Sequence, residues 1–251
     1  MTNPEKFIAY LVLVIGSILG SFSLLLFGAF LFGYSFTVAE FGFGSVGVLT
    51  WDAFLCLLFF LQHSAMVRKG LRQRLEVVIP AHYQGALYTA ASGVVLIVLV
   101  LFWQNSEQAL VSLQGASRWM AHGVFFTSLA GMAWGMYALH SFDAFGNQKI
   151  LARIRTAHVH DMPLAIQGPY RWVRHPLYFF TLMMIWSCPD LTLDRLLFNV
   201  LFTAWIVIGT LLEERDLLAD FQETYHDYQR RVPMLIPWKL HKPYRSGRDL
   251  N

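Results

Sequence analysis

A chain of 251 residues that is 56% hydrophobic and only 14% charged falls well short of the roughly 25% charged residues of a soluble domain. A soluble globular class is excluded, and the length allows one membrane domain, 1–251, with no second large domain. The formal charge of +3 is small and its basic residues are dispersed, so no nucleic-acid partner is expected.

A spanning helix needs about 20 apolar residues. The first candidate, 7–34, is far longer than a signal-peptide core and has no convincing cleavage site after it, so it reads as a retained span. Gly16 and Gly20 within it form a small-xxx-small pair suited to close helix packing. Gly42-Phe43-Gly44-Ser45-Val46-Gly47 matches a dinucleotide pattern, but that pattern carries meaning only between a strand and a helix, and here it joins two spans. The second span is 46–67, the third 85–103 and the fourth 119–139, the last with a further small pair at Gly131 and Gly135. Cys56 and Cys188 lie in apolar runs and read as buried small hydrophobes rather than a disulfide or metal ligands.

A polar stretch, 141–174, separates these from the apolar run 177–212. Its 36 residues are too many for one crossing, and Cys188-Pro189-Asp190 interrupts it. The run is expected to be a hairpin of two short helices, 177–188 and 196–212. Beyond it Leu217, Phe221, Tyr225, Tyr228 and Val232 fall on one stripe of an amphipathic helix, 213–232, ended by Pro233 and Pro237, with Trp238 a plausible interfacial anchor. The expected fold is all-α: a polytopic membrane helix bundle of about six spans, the last two a short hairpin, with a C-terminal amphipathic helix.

Charge supports this topology. With the N-terminus in the cytoplasm, Arg68, Lys69, Arg72, Arg74, Lys149, Arg153, Arg155, Arg171, Arg174 and the basic tail lie inside, while only Arg118 and Arg195 fall outside. Both termini are therefore expected in the cytoplasm, and residence in a bacterial inner membrane is expected if the source is a bacterium.

Three features bear on chemistry. His158-Val159-His160-Asp161 invites a metal, but no cysteine is near and a structural zinc site needs four ligands, so these read as solvated loop residues and no metal is expected. His175-Pro176 starts a helix: proline suits the first position, the residue before it is held extended, and the following N–H groups form the positive end of a dipole that suits an anion. Arg171, Arg174, Tyr170, Trp172 and Tyr178 surround that start, either as ligand-binding groups or as ordinary interfacial residues. Glu213-Glu214, 35 residues after Tyr178, places carboxylates at the end of an apolar helix, where they are costly unless exposed or paired. Each arm of the hairpin is short against about 30 Å of hydrocarbon, so both pieces should lie slightly below the inner surface.

Arg174-His175-Pro176-Leu177-Tyr178, an apolar hairpin and then Glu213-Glu214 resemble the integral membrane methyltransferases of the isoprenylcysteine carboxyl methyltransferase type. The chain from Gln62 onward is more closely similar to the bacterial methanethiol S-methyltransferases. Gln62 to Arg68, Ser141 to Gly146, Glu213 to Leu217 and Tyr225 to Pro237 carry this likeness. The same architecture is shared by denitrification-associated membrane proteins, so the scaffold does not by itself fix the substrate. Departures concern the acceptor side: Ser141 and Ala144 replace a histidine and a leucine, the third span opens with Gln84-Gly85-Ala86-Leu87-Tyr88, and Phe179-Phe180 follow the tyrosine of the motif.

The resemblance implies an enzyme that binds S-adenosylmethionine without a Rossmann domain and methylates a small thiol, methanethiol to dimethyl sulfide, reached from the lipid bilayer. It implies a cofactor site of Gly168, Pro169, Tyr170, Arg174, His175, Tyr178, Glu213 and Glu214. The donor's carboxylate is expected near the helix start and an arginine, its amino group or ribose near a glutamate. A thiol must lose its proton to attack, and a base within reach would help; His63 and Asp143 are the candidates, with a helix-packing role open for His63. Another acceptor (an amine, a prenylcysteine carboxylate or a lipid) and a non-enzymatic membrane component remain the alternatives.

Overall fold

The computed structural model describes residues 3–139, 143–156, 164 and 166–238. Ser141, the His158–Asp161 tract and the basic tail past Trp238 lie outside the described residues. Eight helices are described: α1 (Asn3–Phe32), α2 (Ser45–Val67), α3 (Lys69–Leu75), α4 (Gln84–Phe102), α5 (Gly115–Ala138), α6 (Gln148–Arg155), α7 (Pro176–Ile185) and α8 (Leu193–Arg231). A two-stranded sheet of β1 (Ala109–Ser112) and β2 (Asp190–Thr192) and a 3-10 turn, Gly168–Arg171, complete the described elements. Length and composition suit α1, α2, α4 and α8 to crossing a membrane, and α7 is a shorter apolar helix. In α5 the apolar run is diluted by Arg118, His122, Thr127, Ser128 and its glycines. This is an all-α polytopic membrane protein.

Contacts divide the chain into two compact units. The first comprises Met1–Leu110, Asp143–Asp161 and Leu191–Leu201. In it α1 and α2 pack along α4. The paired glycines of α1 mark close approaches: a methyl on Gly16 would lie 3.4 Å from the Ala86 carbonyl, and one on Gly20 would lie 2.7 Å from Thr89 Cγ2. Phe30, Trp103 and Phe198 meet edge to face at 5.3–5.6 Å. Beside them sit charges that the sequence assigns to outer loops and helix ends. Asp194 accepts from Trp103 Nε1 and the Ser106 N–H, and Arg195 donates to the Phe30 carbonyl with its guanidinium 3.8 Å above the Phe30 ring. Both are buried. Internal partners replace the water that such charges lose inside a membrane protein.

The second unit comprises Val111–Phe142, Met162–Asp190 and Phe202–Asn251. Here α5 packs on α7 through the second glycine pair. A methyl on Gly131 would lie 2.3 Å from Phe180, and one on Gly135 would lie 2.8 Å from Leu177. Phe180 therefore fills space at a helix crossing, and larger residues at Gly131 would push the helices apart. The stripe foreseen past the apolar run is the buried one: Tyr225, Tyr228 and Val232 form a cluster against Leu164, Ile166, Leu217 and Phe221. It is carried on the same helix as the last apolar run, and the break falls at Gln222, whose φ of 48° and ψ of −124° are not helical.

Candidate active site

The site is built from the second unit, starting at Gly168. That residue has φ +50° and sits so close to α5 that a methyl would lie 3.0 Å from Ala138 Cβ and 3.2 Å from Trp134 Nε1, so only glycine satisfies both backbone and space. Buried Pro169 then opens the 3-10 turn, and its carbonyl accepts from the Trp172 and Val173 N–H groups. Arg174 and His175 follow as a short stretch with no helical partners for their amides. Their N–H groups donate to the carbonyls of Pro233 and Met234 at 2.9 and 3.1 Å. Pro176 starts α7, where its missing N–H costs nothing.

Glu214 is the centre of what this scaffold holds. Arg174 grips it with two parallel bonds, Nε to Oε1 at 2.8 Å and Nη2 to Oε2 at 2.7 Å. His175 Nε2 lies 2.7 Å from Oε1, the Tyr225 hydroxyl donates to Oε1 at 2.7 Å, and the Gln229 amide donates to Oε2 at 2.7 Å. The remaining guanidinium nitrogen of Arg174 donates to the carbonyls of Gln229 and Val232. Glu214 is 7% exposed. Burial alone pushes its carboxyl up, but the bonds from His175, Arg174, Tyr225 and Gln229 outweigh that and hold it below the usual carboxylate range.

Glu213 differs in kind. Its side chain is 44% exposed. It accepts a bond from the Tyr178 hydroxyl at 2.8 Å, and its Oε2 lies 3.9 Å from His175 Nδ1. The His175 and Tyr178 rings stack nearly parallel, 5.7 Å apart. Burial pushes the Tyr170 phenol up, and the neighbouring negative charge of Glu213 adds to it. The Tyr170 carbonyl in turn accepts from the Tyr228 hydroxyl. Gly168, Pro169, Tyr170, Arg174, His175, Tyr178, Glu213 and Glu214 thus all belong to one unit, and the two glutamates are not equivalent. Arg174, which the sequence offers to an anionic ligand, is spent on Glu214.

The two candidate bases lie in the first unit. His63, on α2, hydrogen-bonds to the Tyr88 hydroxyl through Nε2 at 2.7 Å and packs against Phe59 and Tyr88. Asp143 uses both oxygens on the start of α6, accepting from the Asn147 and Gln148 N–H groups at 2.8 Å each. That is a capping role for donors that a helix start leaves without partners. Asp143→Ala should therefore cost about 1 kcal/mol of stability, while Asp143→Asn, which keeps an acceptor, should cost less and leave turnover unchanged. A melting series paired with an activity assay separates capping from proton transfer.

The glycine tract Gly42–Gly47 follows no strand: Gly44 caps α2 and Gly47 lies in its first turn. Gly42 and Gly44 line a cavity of about 760 Å³ together with Glu40 and Glu107, carboxylates that would repel a phosphate. Among the described residues no group of three or more His, Cys, Asp or Glu is placed to hold a metal.

Sequence reasoning missed Tyr225 and Gln229. Tyr225 falls on the apolar stripe by its ring, and its hydroxyl is what reaches Glu214. The signal was present in the stretch from Tyr225 to Pro237, which carries part of the family likeness.

Fold and site together define an integral membrane protein with a buried Arg–His–Glu cluster and a second, half-exposed glutamate beside it. The chain belongs to the NnrU protein family, which matches residues 53–237, and is similar to methanethiol S-methyltransferases. It is 35% identical to a methanethiol S-methyltransferase of Pseudomonas deceptionensis, over 74% of this chain and 71% of that protein. It is 36% identical to one from a Pseudomonas sp., over 74% and 72%, and 32% identical to methanethiol S-methyltransferase 2 of Bradyrhizobium diazoefficiens, over 73% and 71%. No solved structure matches the chain significantly.

Proposed function

We propose that the protein is an S-adenosylmethionine-dependent methyltransferase of a small thiol, converting methanethiol to dimethyl sulfide, with its termini on the cytoplasmic side of a bacterial inner membrane. The observation that carries this reading is the joining of the Arg174–Tyr178 segment to Glu213-Glu214 in one site.

The side chains fit the donor's groups. Glu213, supported by Tyr178, offers a half-exposed carboxylate to an amino group or ribose hydroxyls. The N–H groups that open α7 suit a carboxylate. Tyr170, His175 and Tyr178 supply flat faces for the rest of the molecule. When bound, S-adenosylmethionine supplies an electrophilic methyl group on sulfonium sulfur. Held there, it would offer that methyl group for in-line displacement by the thiol, the bonding electrons leaving on its thioether sulfur and the thiol proton passing to water. Positioning supplies much of the rate in such a reaction. Of the two candidate bases, Asp143 has both carboxylate oxygens committed to the start of α6.

The test is methyl transfer from labelled donor by the purified protein, with methanethiol supplied and dimethyl sulfide read in the headspace. Product well above a His175→Ala control is expected. Donor binding without product would move the acceptor to another thiol, an amine or a lipid; no donor binding would overturn the methyltransferase reading.

A further inference from the structure

Tyr225 follows Glu214 by eleven positions, about 16 Å along a straight helix. Yet the Tyr225 hydroxyl lies 2.7 Å from Glu214 Oε1. The chain reaches back because it turns at Gln222, in a conformation with φ 48° and ψ −124° that suits glycine and strains other residues. Such strain persists only where the surroundings over-determine it, and here they do. The segment after the turn delivers the Tyr225 hydroxyl and the Gln229 amide to Glu214. It gives the carbonyls of Gln229 and Val232 to Arg174 and those of Pro233 and Met234 to the backbone of Arg174 and His175. It also brings the Tyr228 hydroxyl to the Tyr170 carbonyl.

Five donors converge on the two oxygens of Glu214. A carboxylate offers about four lone-pair sites, so this one has no acceptor capacity left for a ligand. It works as a hub. Successive helical residues point about 100° apart, so fixing Glu214 also fixes where Glu213 presents its carboxylate.

We infer that the segment returning after Gln222 is the positioning arm of the active site, and that Tyr225 and Gln229 are positioning residues acting through Glu214 on Arg174, His175 and Glu213. The inference rests on the proposed methyl transfer. Neither residue touches the donor; each removes a degree of freedom from groups that do. Misplacement of reacting groups by about 1 Å costs on the order of 100-fold in rate, and loss of one of five bonds should displace them less than that.

The experiment compares Tyr225→Phe, which deletes one hydroxyl, and Gln229→Leu with the full-length wild type in detergent. Three quantities are measured: the folded fraction, the donor's dissociation constant, and kcat per folded molecule. The expected result is a kcat lower by about tenfold in Tyr225→Phe, with the donor's dissociation constant changed less than about threefold. A purely structural role would lower the melting temperature and the folded fraction while leaving kcat per folded molecule at the wild-type value, and that outcome in both variants overturns the inference. Loss of donor binding with unchanged kcat per folded molecule overturns it as well, because the reacting groups would then be held as they are in the wild type. If the wild type itself transfers no methyl group, the proposed function falls and the arm's catalytic role falls with it. Wild-type turnover alongside unaffected variants removes the positioning role alone.

Discussion

Glu214→Ala should destabilise the protein by about 3–5 kcal/mol, the range seen when one member of a buried ion pair is removed. Arg174 would be left with half its guanidinium unpaired inside the protein, and the Tyr225 hydroxyl, the Gln229 amide and His175 Nε2 would each lose their acceptor. A thermal melt in detergent reads the loss, and a melting temperature within a degree or two of wild type would remove Glu214 from the centre of the unit. Acid should mimic the substitution. Because the folded carboxyl is held below its ordinary value, its contribution is fully present above the unfolded range of about pH 4.3 and fades as pH falls toward the folded value. Wild-type stability should therefore drop below about pH 4, with this component of the drop missing in Glu214→Ala.

Glu213→Gln should do the reverse. Its side chain is half-exposed and it accepts a bond from Tyr178, which an amide oxygen can also accept. Stability should stay within about 0.5 kcal/mol of wild type. Methyl transfer should fall by roughly 10- to 100-fold in kcat/KM, the loss that follows from about 1.5–3 kcal/mol for one hydrogen bond to a charged group. Retained activity would remove Glu213 from the donor site. Two adjacent, identical residues should thus give opposite phenotypes, one in folding and one in turnover.

That asymmetry was not legible in the sequence. Hydropathy locates an apolar run of the right length, and Pro189-Asp190 marks its turn, because both signals are local. Charge at the end of a span is a local signal too, so Glu213-Glu214 stood out together with the Arg174–Tyr178 segment. Which glutamate turns inward depends on partners 11 and 15 residues further along, and those arrive only through the bend at Gln222. Glutamine is an ordinary helix former, so nothing at that position announces a bend. Tyr225 was hidden for a related reason: a tyrosine on a helical stripe packs its ring whether or not its hydroxyl has a task. Asp194 and Arg195 show the same limit from the other side. Charges beside a predicted turn read as solvated, and only Trp103 and the Phe30 carbonyl reveal that they are buried.

Arg174 and Glu214 cancel each other as a pair, so Glu213 is the carboxylate that remains turned toward the solvent. Under the proposed reaction this has a bearing on release. The methyl donor carries a positive sulfonium, and its demethylated product does not. A site that presents a half-exposed carboxylate attracts the first more than the second, so turnover itself weakens the hold on the spent molecule. The Glu213→Gln protein should therefore discriminate less between donor and product when their two dissociation constants are compared.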